Sequence, residues 1–154
     1  MQNDNRCHCV ATAMLKLLVP VDGSAASLRA VRFAATFMPP PCEVELHLLN
    51  VQQAAVDWEV RRFLRGVEID KLLHDKGREI VEEAAREAQA AGRPAVVHVE
   101  VGEVAPTIDA VAKRLECGQI VMGSHGAGAL EGLLMGSVSA KVLQRTDLPV
   151  TLIK

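Results

Sequence analysis

The sequence contains few aromatic residues: they make up 3% of its 154 residues, and tyrosine is absent. A surface that stacks the bases of single-stranded nucleic acid needs exposed aromatic rings, so the composition disfavours that function. The charge is nearly balanced, with 17 Lys and Arg against 19 Asp and Glu and a net charge of −2. That balance provides no electrostatic footprint for DNA or for an anionic membrane.

The sequence also lacks long apolar runs. The longest lie near Leu15–Val21 and Ala95–Val101, far short of the roughly 20 residues that a membrane span requires. Residues 1–13 contain Asn, Asp and Arg but no apolar core segment, which predicts a flexible leader rather than a signal peptide. We therefore expect a cytoplasmic protein.

The four cysteines do not form a recognisable framework. Cys7-His8-Cys9 could contact a soft metal, but metal sites usually space their cysteines by two or more residues and need four ligands. We therefore favour a mobile tail over a metal site and predict that the protein itself binds no metal. Cys42 and Cys117 carry no sign of reactivity.

Apolar residues make up 49% of the chain, enough for the core of one domain over residues 14–154. Hydrophobic patterning predicts strands and helices in strict alternation. The predicted strands are Leu15–Val21, Val44–Val51, Ala95–Val101, Gln119–Met122 and Pro149–Ile153, and the predicted helices are Ala25–Met38, Val67–Ala91, Pro106–Leu115 and Ser137–Arg145. Such alternation predicts an α/β fold with a doubly wound parallel sheet and helices on both faces.

Residues 52–66 follow the second predicted strand and are harder to interpret. They fit either a long loop or a short helix. Arg61, Arg62 and Arg65 in this segment form either a solvated face or a set of phosphate contacts at the ligand end of the sheet.

Two strand ends carry unusual residues, Pro20–Ser24 after the first strand and Gly123–Gly126 after the fourth. Ligands of doubly wound sheets bind beyond the carboxyl ends of the strands, where the winding reverses. Glycine allows close approach of the backbone to a ligand and a positive φ. Both segments are therefore candidate parts of one binding site.

Gly136 and Ser137 open the fourth predicted helix. A helix N-terminus presents N–H groups and a positive dipole end to an anion, and the hydroxyls of Ser137 and Ser139 add to them. These residues fit a phosphate cradle. They equally fit a plain turn in which Ser137 caps the helix.

The spacing of Gly123, Gly126 and the Gly136-Ser137 pair, Gly-x2-Gly-x9-Gly-Ser, resembles the nucleotide-binding signature of the universal stress proteins. The resemblance extends from Lys16 to Ile153, and Ile120–Gly126 is most similar to the ATP-binding branch of the family. It implies a single-domain, Rossmann-like sheet of five parallel strands in the order 3-2-1-4-5. It also implies a regulatory module of the stress response that binds ATP, with ADP or AMP as alternatives and Mg²⁺ held through the phosphates.

The resemblance also implies roles for individual residues. It places Pro20, Val21 and Asp22 beside the adenosine and Val51 in the lining of the adenine pocket. Met122 and Gly123 would pass close to the nucleoside, and His125 and Gly126 would face the ribose or phosphates. The phosphates would be held by Gly136, Ser137, Val138 and Ser139. Ala127–Ala129 departs from the family, whose members often have a basic or hydroxyl residue there. This departure leaves less positive charge for a triphosphate.

Partners and alternative functions are also suggested. The resemblance implies a homodimer that pairs through the last strand, whose Val150, Leu152 and Ile153 make an apolar edge. It also implies an unknown protein partner.

A nucleotide-free dimeric interaction protein is one alternative function, although the glycine signature argues against it. A slow ATP hydrolase is another, but no Walker motif, no Gly-x-Ser-x-Gly elbow and no general base beyond Asp22 support it. We expect no catalytic residues, and we interpret His47, His74 and His98 as packing or surface residues.

Overall fold

A computed structural model describes residues 14–37, 43–53, 66–126 and 135–154. Its elements in chain order are β1 (Leu15–Pro20), α1 (Ala25–Thr36), β2 (Val44–Gln52), α2 (Gly66–Ala90), β3 (Ala95–Val101), α3 (Val104–Arg114), β4 (Gln119–Gly123), α4 (Ser137–Arg145) and β5 (Val150–Ile153). The strands pair in parallel in the order β3-β2-β1-β4-β5. The predicted α/β class, parallel sheet and strand order are confirmed.

The core has two layers, one on each face of the sheet, and β1 contributes to both. Leu17 and Val19 pack with α1 and α2, whereas Leu18 packs with α3 and α4. Small side chains on the first face, among them Ala34 and Ala84, are fully buried between α1, α2 and the sheet. Aliphatic residues and alanine thus fill the interior, and each fully buried Leu, Ile or Val contributes about 1.5–3 kcal/mol.

In the sequence, Ser24 precedes α1 and Gly92 follows α2, which predicts a cap at each of these helix ends. The structure confirms both. The Ser24 hydroxyl accepts a hydrogen bond from the Ser27 N–H at 3.1 Å and caps α1. At the end of α2, Gly92 adopts a φ of +87°. The Gly92 and Arg93 N–H groups close the last turn on the carbonyls of Gln89 and Ala88, at 2.9 and 3.0 Å.

Element boundaries differ from the prediction by at most two residues. The two largest differences are at α1, which ends at Thr36 rather than Met38, and at α3, which begins at Val104 rather than Pro106. Pro106 fits the first turn because the N–H groups of that turn have no intrahelical acceptor. The 1–13 leader, Cys7-His8-Cys9, Cys42, the arginines of 52–66 and Ala127–Ala129 lie outside the described residues.

Two histidines that the sequence treats separately are in contact. His47 on β2, only 4% exposed, lies with its Nδ1 3.0 Å from Nε2 of His98 on β3. Burial lowers the pKa of His47, and the charge of Lys16 lowers it further. The Glu45 carboxylate opposes this effect. It lies 2.9 Å from His47 Nε2, without hydrogen-bond geometry. Burial also lowers the pKa of His98, and the charges of His47 and Arg114 add to the effect while Glu100 opposes it.

This pair predicts a loss of stability in mild acid. Both pKa values lie below the ordinary value of 6.5 in the folded state, so the unfolded chain binds more protons than the native one as the pH falls below 6.5. The free energy of unfolding should therefore be highest above 6.5 and fall as the pH drops toward the folded pKa values. Urea unfolding followed by circular dichroism at several pH values measures this free energy. In the His98→Gln variant it should decrease less steeply with falling pH. Equal pH slopes for the two proteins would contradict the prediction.

Candidate functional site

A cavity of about 510 Å³ opens at the carboxyl ends of β1 and β4. These strands are neighbours in the sheet, and the chain winds to opposite sides from them. All twelve residues that the resemblance implies for the site line this cavity: Pro20, Val21, Asp22, Val51, Met122, Gly123, His125, Gly126, Gly136, Ser137, Val138 and Ser139. Its volume lies within the usual range for small-molecule sites.

The turn after β1 holds the Asp22 side chain in place. The Ser24 N–H donates a hydrogen bond to Asp22 Oδ1 at 2.9 Å, a local arrangement that Asp favours in turns. Gly23 between them has a φ of +80°, a conformation that side chains disfavour. The carboxylate is therefore presented at the cavity by a turn that α1 continues.

Asp22 also lies against the second glycine of the signature. A Cβ atom on Gly126 would lie 2.6 Å from Asp22 Oδ2, closer than any real Cβ contact. A side chain at 126 would therefore displace the Asp22 carboxylate, which is the end of a flexible side chain and would have to rotate away from the loop. The loops that follow β1 and β4 thus meet at Asp22 and Gly126.

Three hydrogen bonds attach the start of α4 to the end of β4. The Gly136 N–H donates to the Ser124 carbonyl at 2.7 Å. The Ser139 hydroxyl, which is buried, lies 3.1 Å from the Gly123 carbonyl and 3.3 Å from the Ser124 carbonyl. These bonds set the distance between the Gly123–Gly126 segment and the first turn of the helix.

Gly136 is needed for space rather than for conformational freedom. Its φ and ψ are −73° and 158°, which any residue can adopt. A Cβ atom there would lie 3.3 Å from both His125 Cα and the Ser124 carbonyl oxygen, which leaves little space. Gly136 itself is the N-cap of α4, so the alternative in which Ser137 caps this helix is wrong.

The first turn of α4 supplies backbone donors to the cavity. The first intrahelical bond runs from the Ala140 N–H to the Gly136 carbonyl at 3.0 Å. The N–H groups of Ser137, Val138 and Ser139 precede it and have no acceptor within the helix. Because these three residues line the cavity and the helix dipole is positive at this end, the turn favours an anion.

Sequence reasoning missed four residues that line the cavity: Ser27, Leu49, Val104 and Ile108. Val104 and Ile108 lie one turn apart on α3 and form an apolar wall. Val104 was missed because the predicted helix started only at Pro106. Val104 nevertheless follows β3 closely, and this places it at the same edge of the sheet. Leu49 precedes Val51 by two residues on β2, so both side chains point to the same face of the sheet. This strand alternation could have identified Leu49 as a lining residue.

His125 is oriented by its sequence neighbour. The Ser124 hydroxyl, on a residue that is 3% exposed, lies 2.9 Å from His125 Nδ1. This hydrogen bond restrains the imidazole ring at the cavity, which His125 lines from within the Gly123–Gly126 segment.

Other reactive groups do not form a second site in the part of the chain that is described. Burial raises the pKa of the Cys117 thiol to about 11, which keeps it protonated and unreactive. Within the described ranges, no three His, Cys, Asp or Glu side chains are grouped to hold a metal ion. None of the described helices combines the length and apolarity needed to cross a bilayer.

Comparison with known proteins identifies relatives along most of the chain. A sequence model of the Universal stress protein family matches residues 14–154. Universal stress protein YxiE of Bacillus subtilis is 32% identical over 148 residues, which cover 90% of this chain and 98% of YxiE. The solved structure of MJ0577, reported as a structure-based assignment of biochemical function, has a TM-score of 0.78 and 27% identity and covers 91% of this chain and 95% of its own.

Several structural neighbours are nucleotide complexes. A universal stress protein in complex with cAMP has a TM-score of 0.67 and 24% identity, and the match covers 92% of this chain and 98% of that one. Two more, from Archaeoglobus fulgidus with dAMP and from Arabidopsis thaliana with AMP, are 21% and 20% identical. At these identities the likeness to this chain shows the fold alone.

Proposed function

Because the chain belongs to the universal stress protein family, we propose that it is a cytoplasmic regulatory module that binds an adenine nucleotide, ATP first, with ADP or AMP as alternatives. The observation that carries this proposal is the cavity at the β1–β4 switch point, which brings the glycine signature and the Asp22 turn together. Neighbours of the same fold that were solved with cAMP, dAMP and AMP support the ligand class.

The phosphate end of the site would lie at the first turn of α4. The backbone N–H groups of Ser137, Val138 and Ser139 are the donors there, and the Ser137 hydroxyl adds another. The Ser139 hydroxyl is already directed to the Gly123 and Ser124 carbonyls, so we assign it a positioning role. Mg²⁺ would enter with the phosphates, and the Asp22 carboxylate is the kind of oxygen ligand that this ion prefers.

The base end would lie at Val51. The Val21 N–H donates to the Leu49 carbonyl at 2.8 Å, which shows that the backbone of Leu49 faces β1. Strand alternation turns the N–H and C=O of Val51 to the same side, where β1 has ended at Pro20. An adjacent donor and acceptor match N1 and the amino group of adenine, whereas a 6-oxopurine presents the reverse pattern.

Isothermal titration of the purified protein with AMP, ADP and ATP, with and without Mg²⁺, tests the proposal. We expect saturable binding, and weaker binding of ATP by Asp22→Ala. Asp147→Ala, which removes an exposed carboxylate outside the cavity, is the matched control and should bind like the parent. The proposal fails if no adenine nucleotide binds at millimolar concentration, and ADP accumulating from ATP at a steady rate would favour the hydrolase alternative.

We also propose a homodimer through β5. This strand is at one edge of the sheet, and Val150, Leu152 and Ile153 are only partly buried in the monomer. Pairing with the same strand of a second copy would satisfy its outer backbone groups and cover apolar surface. Light scattering should give twice the monomer mass at micromolar concentration; the mass of a monomer would contradict the proposal.

A further inference from the structure

Two amide side chains are buried at the end of β2, on the side of the sheet covered by α2. Asn50 is 3% exposed and Gln52 is 9% exposed. Buried amides require hydrogen-bond partners, and a buried network whose polar groups are satisfied holds one arrangement. These two lie directly beside the turn that carries Val21 and Asp22.

The two amides form a chain of hydrogen bonds. Asn50 Nδ2 donates to the Val21 carbonyl at 2.8 Å, and Gln52 Nε2 donates to Asn50 Oδ1 at 2.6 Å. Helix α2 presses on them at Gly77, where a Cβ atom would lie 2.9 Å from Asn50 Oδ1 and 2.5 Å from Val99 Cγ1. The Asn50 amide is therefore held in one orientation by a donor partner, an acceptor partner and a close-packed helix.

The Asn50 contact falls where the β1–β2 ladder ends. The last paired residues are Pro20 and Leu49, and the last backbone bond runs from the Val21 N–H to the Leu49 carbonyl. In a parallel sheet the next rung would join the Val51 N–H to the Val21 carbonyl. The Val21 carbonyl instead accepts a hydrogen bond from the Asn50 side chain, and β1 and β2 separate at this position.

We propose that Asn50 is a positioning residue for base selectivity. By binding the Val21 carbonyl, it ends the hydrogen-bond ladder between β1 and β2. The backbone N–H and C=O of Val51 then remain available to bind the edge of a 6-aminopurine. The same bond, from Asn50 Nδ2 to the Val21 carbonyl, also fixes the orientation of the turn that carries Asp22. This inference rests on the proposed nucleotide function and extends it to a residue that the cavity does not expose.

A purely structural Asn50 would stabilise the fold without affecting which base binds, so selectivity separates the two roles. The experiment measures dissociation constants for AMP and for inosine monophosphate, which differ in the group at position 6. The wild type should prefer AMP by at least about tenfold, the value of one good hydrogen bond in binding. Asn50→Asp and Asn50→Leu should bring the ratio close to one, mainly by weakening AMP.

Val99→Ala is the control, because it loosens the same packing without touching Val21 and should keep the AMP preference. A wild type that binds neither nucleotide would overturn the proposed function itself. Folded Asn50 variants that keep the wild-type ratio would overturn only the role of Asn50.

Hydrogen exchange of the wild type tests the role without any variant. In the free protein the Val51 amide should exchange much faster than the Leu49 amide, which lies within the ladder, and AMP should slow the Val51 amide specifically. Equal protection of the two amides before AMP is added would show that the ladder continues past Val21, and would overturn the inference.

Discussion

Replacing Gly136 by valine is expected to weaken adenine-nucleotide binding by at least about 100-fold, which corresponds to roughly 2.7 kcal/mol. The Cβ atom would lie 3.3 Å from both His125 Cα and the Ser124 carbonyl oxygen, and the two valine methyl groups extend further. To admit them, the start of α4 must move away from β4 and break the 2.7 Å bond from the Gly136 N–H to Ser124. The donors of the first turn then no longer face the cavity correctly.

The measurement is calorimetric titration with ATP and Mg²⁺, alongside circular dichroism to confirm that the sheet remains folded. Gly92→Ala is the matched control. Nothing lies within 4 Å of a Cβ atom there, but the φ of +87° makes alanine cost about 1 kcal/mol of stability. We expect this variant to lose stability and bind normally. A Gly136→Val protein that binds ATP like the parent would show that the phosphates do not rest on α4.

The second large effect concerns stability. Gly123→Ala is expected to lower the free energy of unfolding by about 1–3 kcal/mol, the usual cost of overpacking. A Cβ atom at 123 would lie 2.9 Å from the backbone carbon of Ala26 and 3.1 Å from the Ser27 nitrogen. These are backbone atoms of α1, which Ser24 caps, so they cannot rotate out of the way. The helix must move away from β4 as a body.

Gly118→Ala provides the comparison in urea unfolding, because it adds the same methyl group just before β4. There the close neighbour is Leu15 Cδ1 at 2.9 Å, the end of a flexible side chain that can change rotamer. We expect a loss well below that of Gly123→Ala. Equal losses would mean that α1 yields as easily as a leucine side chain, contrary to the packing described here.

The sequence predicted the parts of the fold that depend on local chemistry. Strand and helix alternation, the Ser24 cap and the Gly92 helix end all depend on residues within a few positions of each other. The strand order came only from the resemblance to a family. The same resemblance implied the twelve site residues, which all line one cavity, because the ends of β1, β2 and β4 and the start of α4 meet at one edge of the sheet.

What the sequence could not predict depends on distant contacts. His47 and His98 lie 51 positions apart, and Asn50 and Val21 lie 29 apart; no short pattern connects either pair. The backbone angles of Gly136 were also beyond reach, since glycine serves both positive φ and close packing. Its role follows from the positions of Ser124 and His125, which only the folded chain brings close.

The two aliphatic core layers also determine the optical properties of the protein. With one tryptophan and no tyrosine in the chain, its own ultraviolet absorbance is weak, and the described core contributes almost nothing to it. An adenine ring absorbs strongly at shorter wavelengths than tryptophan does. A single retained nucleotide would therefore dominate the absorbance spectrum of the purified protein, and the ratio of the two bands would report the occupied fraction without any label.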